Sequence, residues 1–318
     1  MAVYTHLGAD ALAELIAHYD VGALISAKGI AEGVSNSNWL VETSAGRFIL
    51  TMYERRIETT DLPFFLGLLD HLSARGCAVP RTIHDRTGAA FRVIDGKAVA
   101  LIEFLPGVSI DRPSAAQARA VGAALAAMHV AASDFPARRP NTLGPAASLA
   151  TLRACDSAAL AAIDPALPTL RDEAALVERA WPRDLPASIC HTDLFPDNVL
   201  MLGDQVSGMI DFYFACTEVM AYDLAVTHAA WCFDRTGARF DPAIGQALVA
   251  GYESVRGLEP AERAALPLLA RGACLRFIAS RAEDWIETPA EAMVTRKDPM
   301  DFVRRLGFYA DARQSPFA

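Results

Sequence analysis

The residues best suited to chemistry lie in one stretch, His191-Thr192-Asp193-Leu194-Phe195-Pro196-Asp197-Asn198, followed by a short hairpin that ends at Asp211. A hydroxyl nucleophile needs a carboxylate that orients it and accepts its proton, and Asp193 is placed for that role. Magnesium prefers hard oxygen ligands, and Asn198 and Asp211, at the two ends of the hairpin, can converge on one ion. We therefore predict a magnesium-dependent reaction of an alcohol, in which His191 braces the loop by hydrogen bonding.

The spacing His-x-Asp-x-x-x-x-Asn is that of the catalytic loop of kinases. Asp211 comes just before Phe212, where kinases place the metal-binding Asp of Asp-Phe-Gly. A His, an Asp and an Asn at these offsets also occur by chance, but the apolar strand that ends in Ile210-Asp211-Phe212 argues against coincidence. Asp223 either supports the catalytic loop or caps the helix before Leu224, and the sequence leaves both roles open.

Two regions of different character must position these residues. The first third predicts a helix that opens at Asp61 and five strands, at 23–28, 39–43, 48–53, 90–94 and 98–104. After Leu105-Pro106-Gly107 the periodicity is mainly helical, and a capping box at Ser114–Gln117 opens the next helix. We predict an α+β, two-lobe fold with an N-terminal antiparallel-sheet lobe (residues 1–105), a larger helical lobe (106–318) and a ligand cleft between them.

The composition excludes several classes of protein. The chain has 318 residues, 29 Lys and Arg against 38 Asp and Glu, and a formal net charge of -9. A binder of nucleic acid or anionic membrane would need the opposite balance. The six cysteines form no CxxC pair, which argues against a zinc site or a disulfide framework. No secretory signal and no apolar run of about 18 residues is visible, so we expect a cytoplasmic protein without a membrane partner.

Together these segments resemble the protein-kinase-like small-molecule phosphotransferases, the clan of aminoglycoside and choline kinases, and within it most closely the bacterial homoserine kinases. Besides the catalytic stretch, the similar segments include Lys28–Gly33, Asn36–Asn38, Leu50–Glu54, Asp61–Leu68, Arg139–Asn141, Ala230–Phe233 and Leu275–Phe277. The resemblance implies a protein-kinase-like fold, ATP and Mg²⁺ as cofactors, and phosphorylation of the hydroxyl of L-homoserine to O-phospho-L-homoserine for threonine biosynthesis. No Gly-rich phosphate loop of the unrelated homoserine kinases is present.

The nucleotide site departs from the usual kinase pattern. The polar loop predicted at Gly29–Asn38 has only two glycines, so we expect Asn36, Ser37 and Asn38 to supply donors for the phosphates. An ordinary polar turn is the alternative for this loop. The backbone of Glu103 and Leu105, at the predicted junction of the lobes, is positioned to contact the adenine.

The cation expected on the third strand is absent. That strand, Phe48–Tyr53, carries no Lys or Arg, and Thr51 stands about where one would be. Lys28, Arg55 or Arg56 can reach the phosphates from elsewhere, with Lys28 and Arg56 as equal first choices, and magnesium with backbone donors is the alternative. The acidic partner from the helix, Glu58 or Asp61, stays open.

A homoserine site needs a cation for the carboxylate and an acidic or carbonyl group for the ammonium. The candidates for acceptor binding are Tyr213, Trp231, Arg276 and Asp284, with Glu218 as a further choice near the catalytic stretch. Arg276 stands out because it lies in an apolar sequence, and a buried guanidinium needs an anion. Trp231 can instead be core, and Asp284 can simply pair with Arg281 on a helix surface.

Two other functions remain open. The acceptor could be an aminoglycoside, a choline-like alcohol or a sugar, and the net charge does not locate an acidic pocket that would decide this. Alternatively, the chain could be a nucleotide-binding regulatory protein with a degenerate kinase fold. The missing strand lysine favours that reading, and the intact Asp193, Asn198 and Asp211 argue against it. The sequence does not specify an oligomeric state or feedback control.

Overall fold

The N-terminal part of the chain is an antiparallel sheet with a helix on each face. The computed structural model describes residues 7–30, 36–54, 58–288 and 296–317. The strand order is β1-β2-β3-β6-β4, and β5 also pairs with β6. The strands are β1 (Leu24–Ile30), β2 (Asn36–Thr43), β3 (Gly46–Tyr53), β4 (Thr82–Ile83), β5 (Arg92–Ile94) and β6 (Lys97–Glu103).

The structure corrects two predictions for this sheet. Within the described residues it has six strands rather than five, because β4 is only two residues long and too short to show alternation in the sequence. The predicted polar loop Gly29–Asn38 was wrong at both ends. Gly29 pairs with Trp39 and Ile30 pairs with Asn38, so the two ends of that segment belong to β1 and β2.

The two faces of the sheet have different roles. Helix α1 (Ala9–Ile16) packs with Trp39, Leu50 and their neighbours on one face, which we call the outer face. Helix α2 (Leu62–Ala74) packs with Tyr53 and Ile102 on the other face, together with residues of the helical lobe. Because cross-strand partners share a face and side chains alternate along a strand, this second face, the cleft face, is the one that meets the helical lobe.

The C-terminal lobe is mainly helical, as predicted, and its first helix begins with the predicted Ser114–Gln117 capping box. Two small antiparallel sheets interrupt the helices: β7 (Ala187–Cys190) with β10 (Cys216–Val219), and β8 (Val199–Leu202) with β9 (Gln205–Met209). The helices are α3 (Ala115–Ala131), α4 (Pro145–Ala154), α5 (Ser157–Ile163), α6 (Leu170–Ala180), α7 (Met220–Trp231), α8 (Pro242–Glu253), α9 (Pro260–Glu287) and α10 (Met300–Ala310).

One hydrophobic cluster joins the cleft face of the sheet to the helical lobe. The predicted α+β two-lobe fold is confirmed, and residue 105 lies in the segment between β6 and α3. Among the described residues, no single helix is long and apolar enough to cross a membrane. Only α4 and α5 taken together, bent by 99° at their break, reach that length and composition.

Candidate active site

The stretch from His191 to Asn198 leaves β7 at Cys190 and continues as a loop. The β7–β10 pairing, with Cys190 opposite Cys216, fixes where the loop begins. A single 3₁₀ turn, Pro196–Asn198, then leads into β8. The β8–β9 hairpin returns the chain beside the loop, since the Ile210 N–H donates to the Asn198 carbonyl at 3.0 Å. The hairpin therefore brings Asp211 back to Asn198, as the sequence spacing predicts.

A buried carboxylate on α7 holds the start of this loop. Asp223 accepts the backbone N–H groups of His191 at 2.5 Å and Thr192 at 2.7 Å. His129 on α3 contributes a further bond to Asp223 at 3.0 Å. Burial alone would raise the pKa of Asp223, but the hydrogen bond from His129 and the neighbouring donors hold it below its usual value. Asp223 does not cap α7. Of its two predicted roles, the hydrogen bonds to His191 and Thr192 fit the support of the loop.

His191 also lies inside the loop rather than in the cleft. Its Nε2 bonds with the Ile210 carbonyl at 2.9 Å, and its Nδ1 receives the N–H of Asp193 at 3.2 Å. Burial lowers the pKa of this histidine, which keeps the ring neutral at physiological pH. A neutral ring with both nitrogens engaged matches the predicted bracing role.

Arg276 of α9 is bound to the same loop. Its Nη1 donates to the Thr192 carbonyl, and its Nη2 lies 3.7 Å from Oδ1 of Asp193. The guanidinium is only 5% exposed and lies over the rings of Phe214 and Phe277. The anion that this buried cation requires is therefore Asp193, in agreement with the expectation that Arg276 meets a negative group.

Asp193, Asn198 and Asp211 lie close together, since Asn198 bonds to Asp193 and the charge of Asp193 acts on Asp211. The Asn198 Nδ2 donates to the Asp193 carbonyl at 2.8 Å and lies 3.3 Å from its Oδ2, which leaves Oδ1 as the oxygen of Asn198 that can bind a metal. Burial and the charges of Asp193 and Asp197 raise the pKa of Asp211 to about 7, and Lys297 offsets part of that shift. Crowded carboxylates of this kind fit a hard divalent cation, which relieves their repulsion.

The predicted phosphate-binding residues lie at the end of the sheet nearest to this group. Asn38 accepts the Thr51 hydroxyl at 2.8 Å on the cleft face. Asn36 is 6% exposed, and its Oδ1 has no hydrogen-bond partner in the described part of the chain. Ser37 alternates to the outer face, where its hydroxyl donates to Glu54 at 2.7 Å. Its hydroxyl therefore points away from the cleft, so a Ser37 contact to nucleotide would have to use its backbone.

The sheet shows which of the candidate cations lie on the face that meets the helical lobe. Lys28 pairs with Leu40. The neighbours of Leu40, Trp39 and Val41, lie on the outer face, so Leu40 and its partner Lys28 lie on the cleft face. Lys28 is exposed there. Lys97 begins β6 but lies on the outer face, beside Glu54. Arg56, the other predicted candidate, lies outside the described residues.

Asp61, one of the two candidates for the acidic partner, bonds with an arginine of the helical lobe. Asp61 makes no side-chain cap for α2 and instead accepts from Nε of Arg139 at 3.0 Å. Arg139 lies over the ring of Phe65 and donates to the Ala215 carbonyl. It therefore links α2 to the segment that follows Asp211. At the lobe junction, the N–H of Glu103 donates to the Arg81 carbonyl at 3.0 Å. A Glu103 contact to adenine would therefore have to use its carbonyl oxygen.

Two of the predicted acceptor-binding residues are not placed to touch an acceptor. Trp231 is 2% exposed, and its indole N–H donates to the Leu194 carbonyl at 2.8 Å. It holds the catalytic loop from below, which corrects its predicted role. Asp284 lies on the exposed side of α9, more than two turns beyond Arg276. Arg281, the residue suggested as its partner, bonds with Asp301 at 3.2 Å.

Tyr213 lies between the lobes. Its hydroxyl is 3.1 Å from that of Tyr53, and the two rings meet edge to face at 5.5 Å. Burial raises the pKa of Tyr213 well above its usual range, so the phenol stays neutral. Tyr213 therefore connects β3 to the residues that follow Asp211.

Sequence reasoning missed a cavity between α4 and α9 that includes Arg276. It has a volume of about 90 Å³ and is lined by hydroxyl-bearing residues (Thr142, Ser148, Thr151 and Ser280), by apolar residues and by the charged side chains of Arg276 and Glu283. A partial signal exists in the sequence, since Arg276, Ser280 and Glu283 recur at helical spacing. The partner helix α4 could not be identified from that spacing.

Comparison with known proteins places this geometry among phosphotransferases. A model of the phosphotransferase enzyme family matches residues 26–258. A homoserine kinase of Methylobacterium sp. (strain 4-46) is 50% identical over 313 residues, covering 97% of this chain and 96% of that protein. A homoserine kinase of Gluconacetobacter diazotrophicus (strain ATCC 49037) is 51% identical over 317 residues, with 98% of each chain covered.

Solved structures with the same fold include an amicoumacin kinase in complex with AMP-PNP, Ca²⁺ and Ami. It superposes with a TM-score of 0.73 at 14% identity, covering 94% of this chain and 92% of that one. A microcompartment-associated aminopropanol kinase gives a TM-score of 0.61 at 18% identity, covering 98% and 99% of the two chains. At these identities the similarity extends to the fold alone.

Proposed function

Because the chain belongs to the phosphotransferase enzyme family, we propose that it transfers the γ-phosphoryl group of ATP to the hydroxyl of L-homoserine and forms O-phospho-L-homoserine. The observation that carries the acceptor's identity is the 50% identity to homoserine kinases over nearly the full length of both chains. The geometry supports the reaction type, because Asn198 bonds to Asp193 and the β8–β9 hairpin returns the chain at Asp211 to Asn198, as the proposed roles of these three residues require.

In the proposed reaction, Asp193 accepts a hydrogen bond from the homoserine hydroxyl, aims its oxygen at the γ-phosphorus and takes up its proton. Its backbone carbonyl and one carboxylate oxygen are held by Asn198, and Arg276 lies beside the other carboxylate oxygen. The base is therefore fixed before the substrate arrives, and catalysis comes mainly from positioning and charge neutralisation.

Asn198 and Asp211 are the residues that would hold Mg²⁺. Bound there, the ion would neutralise charge on the triphosphate, which is the chemistry that phosphoryl transfer requires of a metal. The elevated pKa of Asp211 supports this assignment, because a carboxylate kept among other carboxylates gains most from a cation.

For the nucleotide, we propose phosphate contacts from Asn36, Asn38 and Lys28 and adenine contacts from the backbone of Glu103 and Leu105. Asn36 lies on the cleft face, opposite Tyr53 at the end of the β2–β3 pair, and its contact to a phosphate would use the amide Nδ2 as donor, because the amide oxygen, like a phosphate oxygen, only accepts hydrogen bonds. Lys28 lies on the same face and is exposed, so its side chain is able to move onto a bound phosphate.

The test is ADP release measured on a panel of alcohols, with and without Mg²⁺, with the product identified by ³¹P NMR. The panel contains L-homoserine, 3-amino-1-propanol, choline, an aminoglycoside and a sugar. We expect saturable turnover with L-homoserine at a KM between about 1 μM and 1 mM, dependent on Mg²⁺. Saturable turnover on another alcohol alone would contradict the acceptor, and nucleotide binding without turnover on any acceptor would contradict catalysis.

A further inference from the structure

Five polar side chains connect the catalytic loop to the end of α8 and the start of α9. Four of them are 0% exposed, those of His129, Asp223, Tyr252 and Glu262. The side chain of the fifth, Arg256, is only 13% exposed. Asp223 holds the loop and His129 bonds to Asp223, whereas the other three lie outside this contact and outside the proposed reaction. Buried polar groups are costly unless they are bonded, so their arrangement needs a reason.

The hydrogen bonds among these side chains form one continuous chain. The Tyr252 hydroxyl lies 2.9 Å from Nδ1 of His129, and Nη1 of Arg256 lies 3.3 Å from the Tyr252 oxygen. Nη2 of Arg256 donates to both carboxylate oxygens of Glu262 at 2.9 Å. Since His129 bonds to Asp223 and Asp223 accepts two N–H groups of the catalytic loop, the chain extends from α9 to the loop backbone.

The chemistry of the groups gives each bond in this chain a direction. Neighbouring donors hold the pKa of Asp223 below its usual value, and a carboxylate only accepts, so Nε2 of His129 carries the hydrogen of their bond. Arg256 only donates, so the Tyr252 oxygen accepts from it and the Tyr252 O–H donates to Nδ1 of His129. Burial raises the pKa of Tyr252, which keeps this hydroxyl protonated. The Tyr252 bond therefore selects the tautomer of His129 that donates to Asp223.

Close packing of α3 against α8 fixes the position of Tyr252 relative to His129. A Cβ atom at Gly251, the residue before Tyr252, would overlap the carbonyl oxygen of Arg119 on α3. A Cβ atom at Gly122 of α3 would likewise overlap a carbonyl oxygen of α8. The two helix backbones thus approach as closely as glycine allows, which leaves little freedom in the bond between the two side chains.

We propose that Tyr252 is a positioning residue for the catalytic loop and acts through His129 and Asp223. Arg256 and Glu262 set the direction of its hydroxyl. This inference rests on the proposed function, because the loop carries the proposed base. Without the Tyr252 hydroxyl, the His129 ring is free to change tautomer, and the loop loses part of its support. Reactions that depend on positioned groups are slowed by small displacements of those groups.

Tyr252→Phe removes the hydroxyl and keeps the ring. We expect kcat with L-homoserine to fall about 3- to 10-fold, the scale of one buried hydrogen bond, with an unchanged KM for ATP. Tyr309→Phe is the matched control, because the Tyr309 hydroxyl also binds Nδ1 of a buried histidine, His228, whose other nitrogen bonds to the Pro316 carbonyl and not to the loop. Tyr309→Phe should keep the wild-type kcat. Equal kcat values in the two variants would show that Tyr252 has no positioning role.

His129→Gln tests whether the effect passes through the histidine. Glutamine can place an N–H near the position of Nε2, and so still donate to Asp223, but it has no nitrogen at the position of Nδ1. Adding Tyr252→Phe to this variant should therefore change its kcat by less than about twofold. If the losses of the two single variants multiply in the double variant, Tyr252 does not act through His129.

Amide hydrogen exchange provides a measurement that needs no acceptor. Exchange at the N–H groups of His191 and Thr192 should become faster in Tyr252→Phe and stay as in the wild type in Tyr309→Phe. Unchanged exchange in Tyr252→Phe would overturn the proposal. If the wild type does not turn over L-homoserine but the exchange responds as expected, the proposed function fails and the support of the loop by Tyr252 stands.

Discussion

At the scale of single residues, the catalytic loop depends on two backbone conformations that are unusual for side-chain-bearing residues. Thr192 has φ 61° and Asp211 has φ 66°, both in the left-handed region. Such a conformation costs of order 1–3 kcal/mol and is especially unfavourable for a β-branched residue. Three contacts hold Thr192 there, from Asp223, from Arg276 and from its own hydroxyl to the Phe214 carbonyl at 3.0 Å. The strain is thus maintained by side chains remote in sequence.

The spacing of Asp193, Asn198 and Asp211 was enough to predict that they meet, because a short hairpin can only return the chain to its starting point. The strained conformation and the partners that hold it could not be predicted. They come from α7 and α9, and sequence spacing says nothing about which distant helix supplies a hydrogen bond.

Asp193→Asn tests the base directly. The amide keeps the size of the side chain but accepts no proton, so we expect kcat to fall about 10²- to 10⁴-fold. ATP binding, measured by calorimetry with a non-hydrolysable analogue, should change little. A variant with the wild-type rate would remove Asp193 from the chemistry.

Asp211→Ala removes a proposed magnesium ligand. We expect loss of Mg²⁺-dependent turnover and weaker Mg²⁺ binding in the presence of nucleotide, since carboxylate oxygens are the preferred ligands of this ion. Titration with Mn²⁺, followed by electron paramagnetic resonance, reports the binding step separately from catalysis. Asp204→Ala, in the exposed β8–β9 turn, is the matched control. Full activity and unchanged Mn²⁺ affinity in Asp211→Ala would contradict the metal assignment.

At the scale of elements, α7 is the helix on which the catalytic loop rests. All twelve of its residues are buried, and it carries both Asp223 and Trp231. Its sequence is apolar on every side, so periodicity identifies a helix but not the direction in which any residue points. This is why Asp223 could be read as a cap and Trp231 as an acceptor contact. The structure assigns both to the underside of the loop.

Trp231→Phe removes the indole N–H that binds the Leu194 carbonyl and leaves an aromatic ring in the core. We expect a loss of about 1–3 kcal/mol in the free energy of unfolding, the cost of an unsatisfied buried carbonyl and of lost volume. Because the bond fixes the residue next to Asp193, kcat should fall while the KM for ATP stays constant. Trp285→Phe on α9 is the control, and equal kcat values for the two variants would show that Trp231 does not position the loop.

At the scale of the whole molecule, the two lobes share one hydrophobic cluster, and the C-terminal segment closes over α7. His228 of α7 is fully buried between the Tyr309 hydroxyl at 2.6 Å and the Pro316 carbonyl at 3.1 Å, and the Phe317 ring lies 4.4 Å from its own. The lobes and their order were predictable, because composition and periodicity change at residue 105. The packing of the C-terminal segment over α7 could not be predicted, because it joins His228 to residues more than 80 positions away in the sequence.

Burial lowers the pKa of His228 from its usual 6.5 to about 3, so the folded protein keeps the ring neutral. The unfolded chain binds a proton below pH 6.5 that the folded one does not, so this stability is complete above pH 6.5 and is lost as the pH falls towards 3. At pH 4.5 the loss is on the order of 2–3 kcal/mol. Urea unfolding of wild type and His228→Asn should therefore converge as the pH falls from 7.5 to 4.5. A difference independent of pH would contradict a neutral buried His228.

The most direct test of the account is the position of a metal and an acceptor in one crystal of the enzyme with AMP-PNP, Mn²⁺ and L-homoserine. Anomalous scattering locates Mn²⁺ without assumptions about its ligands. We expect the peak between the side-chain oxygens of Asn198 and Asp211, and the homoserine hydroxyl within hydrogen-bond distance of Asp193. A metal bound elsewhere, or an acceptor hydroxyl that does not contact Asp193, would contradict it.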